Sequence, residues 1–129
     1  MQQWIDTVAG VAYISVGIRL ESFREFLDAI DRLISHPDWR PGMPVLEDLR
    51  RCHWIPPKAI DEWRAYVAQN RSWLEGCRWA VVRRGLVPAV VAVLDAAAKD
   101  AASSGVVLKH FTDMIEAHLW LEASGLSHP

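Results

Sequence analysis

Apolar runs are short in this 129-residue chain: the longest, Leu86 to Leu94, is nine residues, under half of the roughly 20 that a membrane-spanning helix requires. No transmembrane segment is therefore expected. Cysteine is scarce. Cys52 and Cys77 are the only two, too few for a disulfide-stapled scaffold, and both are expected as free thiols of a reducing compartment. Neither sign of charge dominates, with 14 Lys+Arg against 16 Asp+Glu and a formal net charge of -2. Nucleic-acid binding needs a basic footprint that this balance does not supply, so no nucleic-acid partner is expected. The opening residues Met1 to Asp6 contain neither a basic n-region nor an apolar h-region, so the expectation is a cytoplasmic protein without a secretory signal. Internal repeats and low-complexity tracts are absent too. What remains is an ordinary globular composition, 51% hydrophobic and 23% charged. The length suits one hydrophobic core and a single domain over residues 1–129.

The pattern of apolar residues alternates between strand and helix periods. Gln3 to Thr7 and Val11 to Ile18 read as strands joined by a tight turn at Ala9-Gly10. In the second, Ala12, Ile14, Val16 and Ile18 share the face expected to be buried. Phe23, Phe26, Leu27, Ile30, Leu33 and Ile34 recur at helical spacing behind a Ser22 cap, and His36-Pro37 ends that helix. Val45 to Leu49 follows the Pro41-Gly42 turn as a short strand. Pro56-Pro57 opens a second helix carrying Ile60, Trp63 and Val67, which ends between Asn70 and Gly76. Arg78 to Val82 is a fourth strand, Leu86 to about Ala102 a third helix closed by Ser103-Ser104-Gly105, and Val106 to Phe111 a fifth strand. Thr112 or Asp113 caps a last helix, and a frayed tail is expected from Gly125. The order β-β-α-β-α-β-α-β-α predicts an α/β fold: a mixed, mostly parallel five-stranded sheet with an antiparallel first hairpin and four helices.

Three segments, in this order, carry a family resemblance: R-P-G-M-P-V-L-E-D-L over residues 40–49, G-C-R-W-A-V-V-R-R-G-L-V over 76–87, and V-V-L-K-H-F-T-D-M-I-E-A-H-L-W-L over 106–121. With the helix-ending S-H-P-D-W before them, they resemble the small bacterial SpoIIAA-like proteins, relatives of the sulfate transporter and anti-sigma factor antagonist (STAS) domains. The resemblance covers most of the chain and implies the STAS-like fold. It also implies a non-enzymatic, regulatory interaction module whose partner contacts lie around the third helix and the loop after the third strand. STAS antagonists carry a phosphorylatable Ser or Thr after that strand. Here the segment Leu49 to Pro57 has no hydroxyl side chain, which argues against a switch that adds about two negative charges there. The broader resemblance of these proteins to lipid-transfer domains implies the alternative, a carrier or sensor of a lipid or other apolar small molecule.

Candidate contact residues follow from both lines. Arg50, Arg51, Cys52, His53 and Trp54 form the loop after the third strand. Cys52 lacks a visible base and orienting group, and no set of four metal ligands is apparent, so neither a nucleophile nor a metal site is expected. Arg50 and Arg51 would depress the pKa of an activated thiol; the plain alternative is a loop thiol beside a solvated arginine pair. Cys52 and Cys77 should lie at opposite ends of neighbouring strands, ~17 Å apart. Arg83 and Arg84 precede the third helix, where they would contact an anion or lipid headgroup or simply be solvated. Leu86, Val87, Val90 and Val91 belong to a helix that is apolar almost all round, so it is either covered or offers a patch to a partner, a second copy or a lipid-like ligand. Among seven tryptophans, Trp63, Trp79 and Trp120 fall at core phases, whereas Trp39 and Trp54 lie in loops as core seals or contact points. Glu47 and Asp48 are adjacent on a strand and point to opposite faces, so they cannot act together as a carboxylate pair. His36, His110 and His118 lack local partners and are expected to be satisfied or solvated. No catalytic residue and no cofactor is expected, and a homodimer is compatible with the sequence.

Overall fold

The structure is a computed structural model that describes residues 1–56, 58–86 and 88–126. Five strands, β1 (Gln2–Asp6), β2 (Val11–Ser15), β3 (Val45–Leu49), β4 (Arg78–Arg83) and β5 (Val107–Phe111), form one sheet in the order β1-β2-β3-β4-β5. β1 and β2 are antiparallel, with Asp6 opposite Val11, and every other pairing is parallel. The helices are α1 (Phe23–Ile34), α2 (Ala59–Gln69), α3 (Arg71–Leu74), α4 (Pro88–Ser103) and α5 (Met114–Leu126). One helix more is present than expected, because the chain makes a further short turn, α3, between Asn70 and Glu75 before β4. The helix predicted from Leu86 to Ala102 is α4.

Each parallel crossover steps to the adjacent strand in the same direction. With crossovers of one hand, successive helices then lie on the same side of the sheet. Accordingly α1, α2 and α4 share one core with Ala12, Ile14, Val45, Leu49, Trp79 and Val81, while α5 closes a smaller core on the other face. There Ala117 and Leu121 pack on Val11, Leu46, Ala80 and Val82. The two-residue alternation of each strand is thus divided between two unequal cores.

Local signals account for the elements. Ser22 caps α1, its hydroxyl oxygen accepting from the Arg24 amide at 3.2 Å, and Phe26, Leu27, Ala29, Ile30 and Leu33 face inward. Asp113 does the same for α5, accepting from the Ile115 amide at 2.7 Å. α2 is anchored by Ala59, Trp63, Tyr66 and Val67, with Ile60 only half-buried. Tyr66 donates from its hydroxyl to Asp31 of α1 at 2.6 Å, the polar tie between these helices. Tyr66→Phe is expected to cost about 1 kcal/mol, measured as a shift of the urea midpoint without a change of slope.

One expected core residue is displaced. β2 ends at Ser15, so its alternation does not extend to Ile18, which is 63% exposed. Instead the chain turns along the loop after β3, where Arg19 bridges Trp54 in a parallel pairing and the His53 amide donates to the Ile18 carbonyl at 2.7 Å. The expectations placed on Pro57 and Val87, and on the tail after residue 126, lie outside the described residues, whereas Gly125 and Leu126, expected to begin a frayed tail, continue α5.

Candidate functional site

β3 sends Val45, Glu47 and Leu49 toward α1, α2 and α4, and Leu46 toward α5. Glu47 is thereby carried into the larger core, where it is 7% exposed, the one buried charged residue among those described. Parallel register pairs Val45 with Trp79 and Glu47 with Val81, so Trp79 is the diagonal neighbour of Glu47 on the same face. Its indole Nε1 donates to Glu47 Oε1 at 3.0 Å. Trp63 of α2 meets Trp79 edge-on, ring centroids 5.3 Å apart, and holds the donor in place. Burial pushes the Glu47 carboxyl up to about 7, against the Trp79 hydrogen bond, which favours the charged form. Near neutral pH this group is divided between acid and carboxylate.

A cavity of about 40 Å³ opens beside Glu47, room for about three waters. Phe23 and Phe26 of α1, Ala59 and Trp63 of α2, and Val93 and Leu94 of α4 wall it, while Leu49, Val81 and Leu108 contribute from the sheet. Glu47 is the only charged group in this lining. The site lies under α4, at the inner face of that helix. Among the described residues of α4, Val90 and Ala101 are buried and Val91, Val93 and Leu94 half-buried, whereas Ala89, Ala92, Asp95, Ala96 and Lys99 face outward. Its large apolar side chains therefore turn toward the sheet, and its outer face is small or charged. Leu86, just before the helix, packs half-buried on the main core.

The predicted loop site does not assemble as one surface. Arg50 folds back on Asp48, with Nε and Nη2 each 3.0 Å from a carboxylate oxygen. Burial would raise the Asp48 carboxyl, but the hydrogen bonds from Arg50, together with the charges of Arg50 and Arg84, bring it below its usual value. Arg51 and His53 are exposed. Trp54 is half-buried under the Arg19 guanidinium, 4.9 Å from its ring centroid, so it seals an edge, as does Trp39 at 7% exposure.

Cys52 is a correction. It lies in the loop after β3 as expected, but it is neither solvated nor lowered in pKa: it is wholly buried in the main core, and its Sγ donates to the Trp54 carbonyl at 3.3 Å. Burial pushes this thiol up, and the Glu47 charge acts the same way. Cys77, also buried and unpaired, is pushed up to about 12 by burial. Both should resist a thiol reagent in the native state, with labelling that tracks global unfolding; fast labelling of either would contradict its burial.

At the far end of the same sheet face, His110 of β5 stands abreast of Val81 and Glu47. Neither ring nitrogen makes a hydrogen bond, and the Nε of Arg83 is likewise buried without one. Burial lowers the His110 pKa, Arg83 acts in the same direction, and Asp95 and the Leu94 carbonyl oppose them. His110 is thus shielded rather than solvated, with the Leu94 carbonyl favouring its protonated form. Arg84 is exposed. His36 lies 3.7 Å from Asp38 and His118 packs against Tyr13. Among the described residues no cluster of His, Cys, Asp or Glu could hold a metal ion.

Fold and site together define a mixed α/β domain with a partly open, predominantly apolar cavity beside one buried carboxyl group. No helix among the described residues is long and apolar enough to cross a membrane. No protein-family model, curated protein or solved structure matches the chain.

The sequence reading missed Glu47 as a site residue. Alternation along the strand sets it apart from Asp48, and its place between Val45 and Leu49 at the inward phase of an apolar strand is the available signal.

Proposed function

We propose that this chain is a non-enzymatic, SpoIIAA-like binding domain whose cavity under α4 takes an apolar small molecule, as a carrier or sensor. The observation that carries this reading is the cavity itself: predominantly apolar walls from three helices surround one carboxyl group, and Trp63 among them has an indole N–H buried without a partner, the usual composition of a ligand pocket. The cavity is small, so the ligand has few heavy atoms, or α4 moves outward to admit a longer one. Arg83, at the end of β4, shares this sheet face but lies outside the cavity lining, so the headgroup contact expected of it is no part of this site. A cytoplasmic location accompanies this proposal, since two buried free thiols suit a reducing compartment.

The test is native mass spectrometry of the full chain purified from its own cells, beside Ala59→Leu, which fills the cavity. Wild type should retain a small molecule that the variant loses while keeping its circular dichroism. A clean wild-type mass, together with Trp63 and Trp79 indole NMR signals unmoved by saturating propane or acetone, would overturn the proposal.

The interaction-module reading finds its support on the opposite layer. Ile115 and Leu119 are 71% and 59% exposed on one side of α5, four residues apart and so on one helical face. A protein partner or a second copy of the chain would use that face rather than α4, whose outward residues are small. Without a hydroxyl in the loop after β3, such a module would be regulated by its ligand or its abundance rather than by phosphorylation there.

A further inference from the structure

The cavity specifies more than apolarity. Glu47 has two oxygens, and Trp79 occupies one of them, Oε1, with a 3.0 Å hydrogen bond. Among the described residues no group bonds to Oε2, although Glu47 lines the cavity. A buried carboxyl oxygen in an apolar chamber needs either a proton to donate or a positive charge to meet. The surroundings supply no positive charge to the cavity. α1 presents Phe23 and Phe26 to it, α2 Ala59 and Trp63, α4 Val93 and Leu94, β2 Val16 and β5 Leu108. The Cys52 thiol, on the loop after β3, is the titratable group that feels Glu47. His110 and Arg83 share the sheet face but lie beyond Val81, outside the lining.

We infer that the ligand is a small neutral molecule with a single hydrogen-bond acceptor, a ketone, aldehyde or ester, held by the protonated Glu47 carboxyl through Oε2. This deepens the binding reading above and depends on it. The count of polar groups decides the chemistry. The Glu47 O–H can donate to one carbonyl oxygen, and the indole Nε1–H of Trp63, a lining residue whose nitrogen is buried without a partner, is a donor as well, so an acceptor on the ligand suits both polar groups. A primary ammonium in the same place would bring three N–H donors to a site with one free acceptor, and would require Glu47 to ionise where burial already disfavours its charge. The size agrees: a chamber of about 40 Å³ suits a handful of heavy atoms rather than an acyl chain.

Binding through the acid form takes up a proton wherever Glu47 is ionised in the free protein. Affinity should therefore be flat below neutral pH and fall above it. The experiment is an NMR titration of the full chain with acetone, propane and isopropylamine, probes of about three or four heavy atoms matched to the cavity, read at the Trp79 indole N–H signal at pH 6 and pH 8. Acetone should bind about tenfold more weakly at pH 8 than at pH 6, from one proton titrating near neutrality. In Glu47→Gln, whose amide N–H still donates, that pH dependence should vanish while ketone binding persists. Propane binding as well as the ketone, without pH dependence, would overturn this inference and leave the apolar pocket standing. Isopropylamine binding more tightly at pH 8 would do the same. Failure of all three probes would overturn both.

Discussion

Trp79→Ala should lower the free energy of unfolding by about 3–5 kcal/mol, the range for truncating a large buried aromatic. Trp79 is the largest of the fully buried side chains, at 1% exposure, and two independent contacts fix it, the edge-on ring of Trp63 and the hydrogen bond to Glu47. Truncation loses the buried area, opens a void against α2, and strips Glu47 of its one hydrogen-bond partner among the described residues. The partner loss can be read separately. Trp79→Phe keeps most of the ring but removes the donor that favours the carboxylate, so it should shift the Glu47 titration upward in addition to a smaller stability loss. Chemical denaturation at pH 5 and pH 8 measures both. A cost under about 1 kcal/mol for Trp79→Ala would show that the core does not depend on this contact as described.

The second large effect is a stability that declines as pH rises. In the unfolded chain Glu47 ionises near 4.5, and in the fold at about 7. Between those values the folded protein holds a proton that the unfolded chain has released, so raising the pH draws the equilibrium toward unfolding. The loss accumulates at up to about 1.4 kcal/mol per pH unit and levels off above neutrality, about 3 kcal/mol in total. His110 acts in the opposite direction: its depressed pKa means that stability from this residue is gained as pH rises toward 6.5. The comparison of wild type with Glu47→Gln isolates the carboxyl. Gln keeps an oxygen for Trp79 and carries no charge, so the variant should be more stable than wild type by up to about 3 kcal/mol at pH 8, and near parity at pH 4. Equal pH profiles for the two proteins would mean that Glu47 is not desolvated. The cost of burying this group without a charged partner is consistent with the binding role proposed for it, since functional sites are where such perturbed groups gather.

The strands and the long helices were legible in the sequence because their cues are local. Ser22 before an amphipathic run, Pro41-Gly42 before Val45 and the Ser-Ser-Gly stop after α4 each act within one or two turns of chain. α3 escaped because four residues carry too little period to be distinguished from the frayed end of α2. Ile18 was misplaced because alternation says which residues share a face but not where a strand stops; the pairing of Arg19 with Trp54, 35 positions later, ends it.

The site was less legible than the fold for a related reason. Side-chain chemistry along one strand shows Glu47 and Asp48 pointing apart, and they do. Only tertiary structure decides which of the two faces is dry. Asp48 meets Arg50 within its own segment and remains ionised, whereas Glu47 finds Trp79, 32 residues away, in a core assembled from three helices. Cys52 reverses in the same way, from a thiol beside two arginines in sequence to a buried thiol facing the carbonyl of Trp54. The sequence by itself therefore determined the α/β order, the mixed sheet and the positions of caps and turns, all of which depend on near neighbours. Burial, and with it the protonation of Glu47 and the cavity beside it, was decided only when distant segments packed together and excluded water.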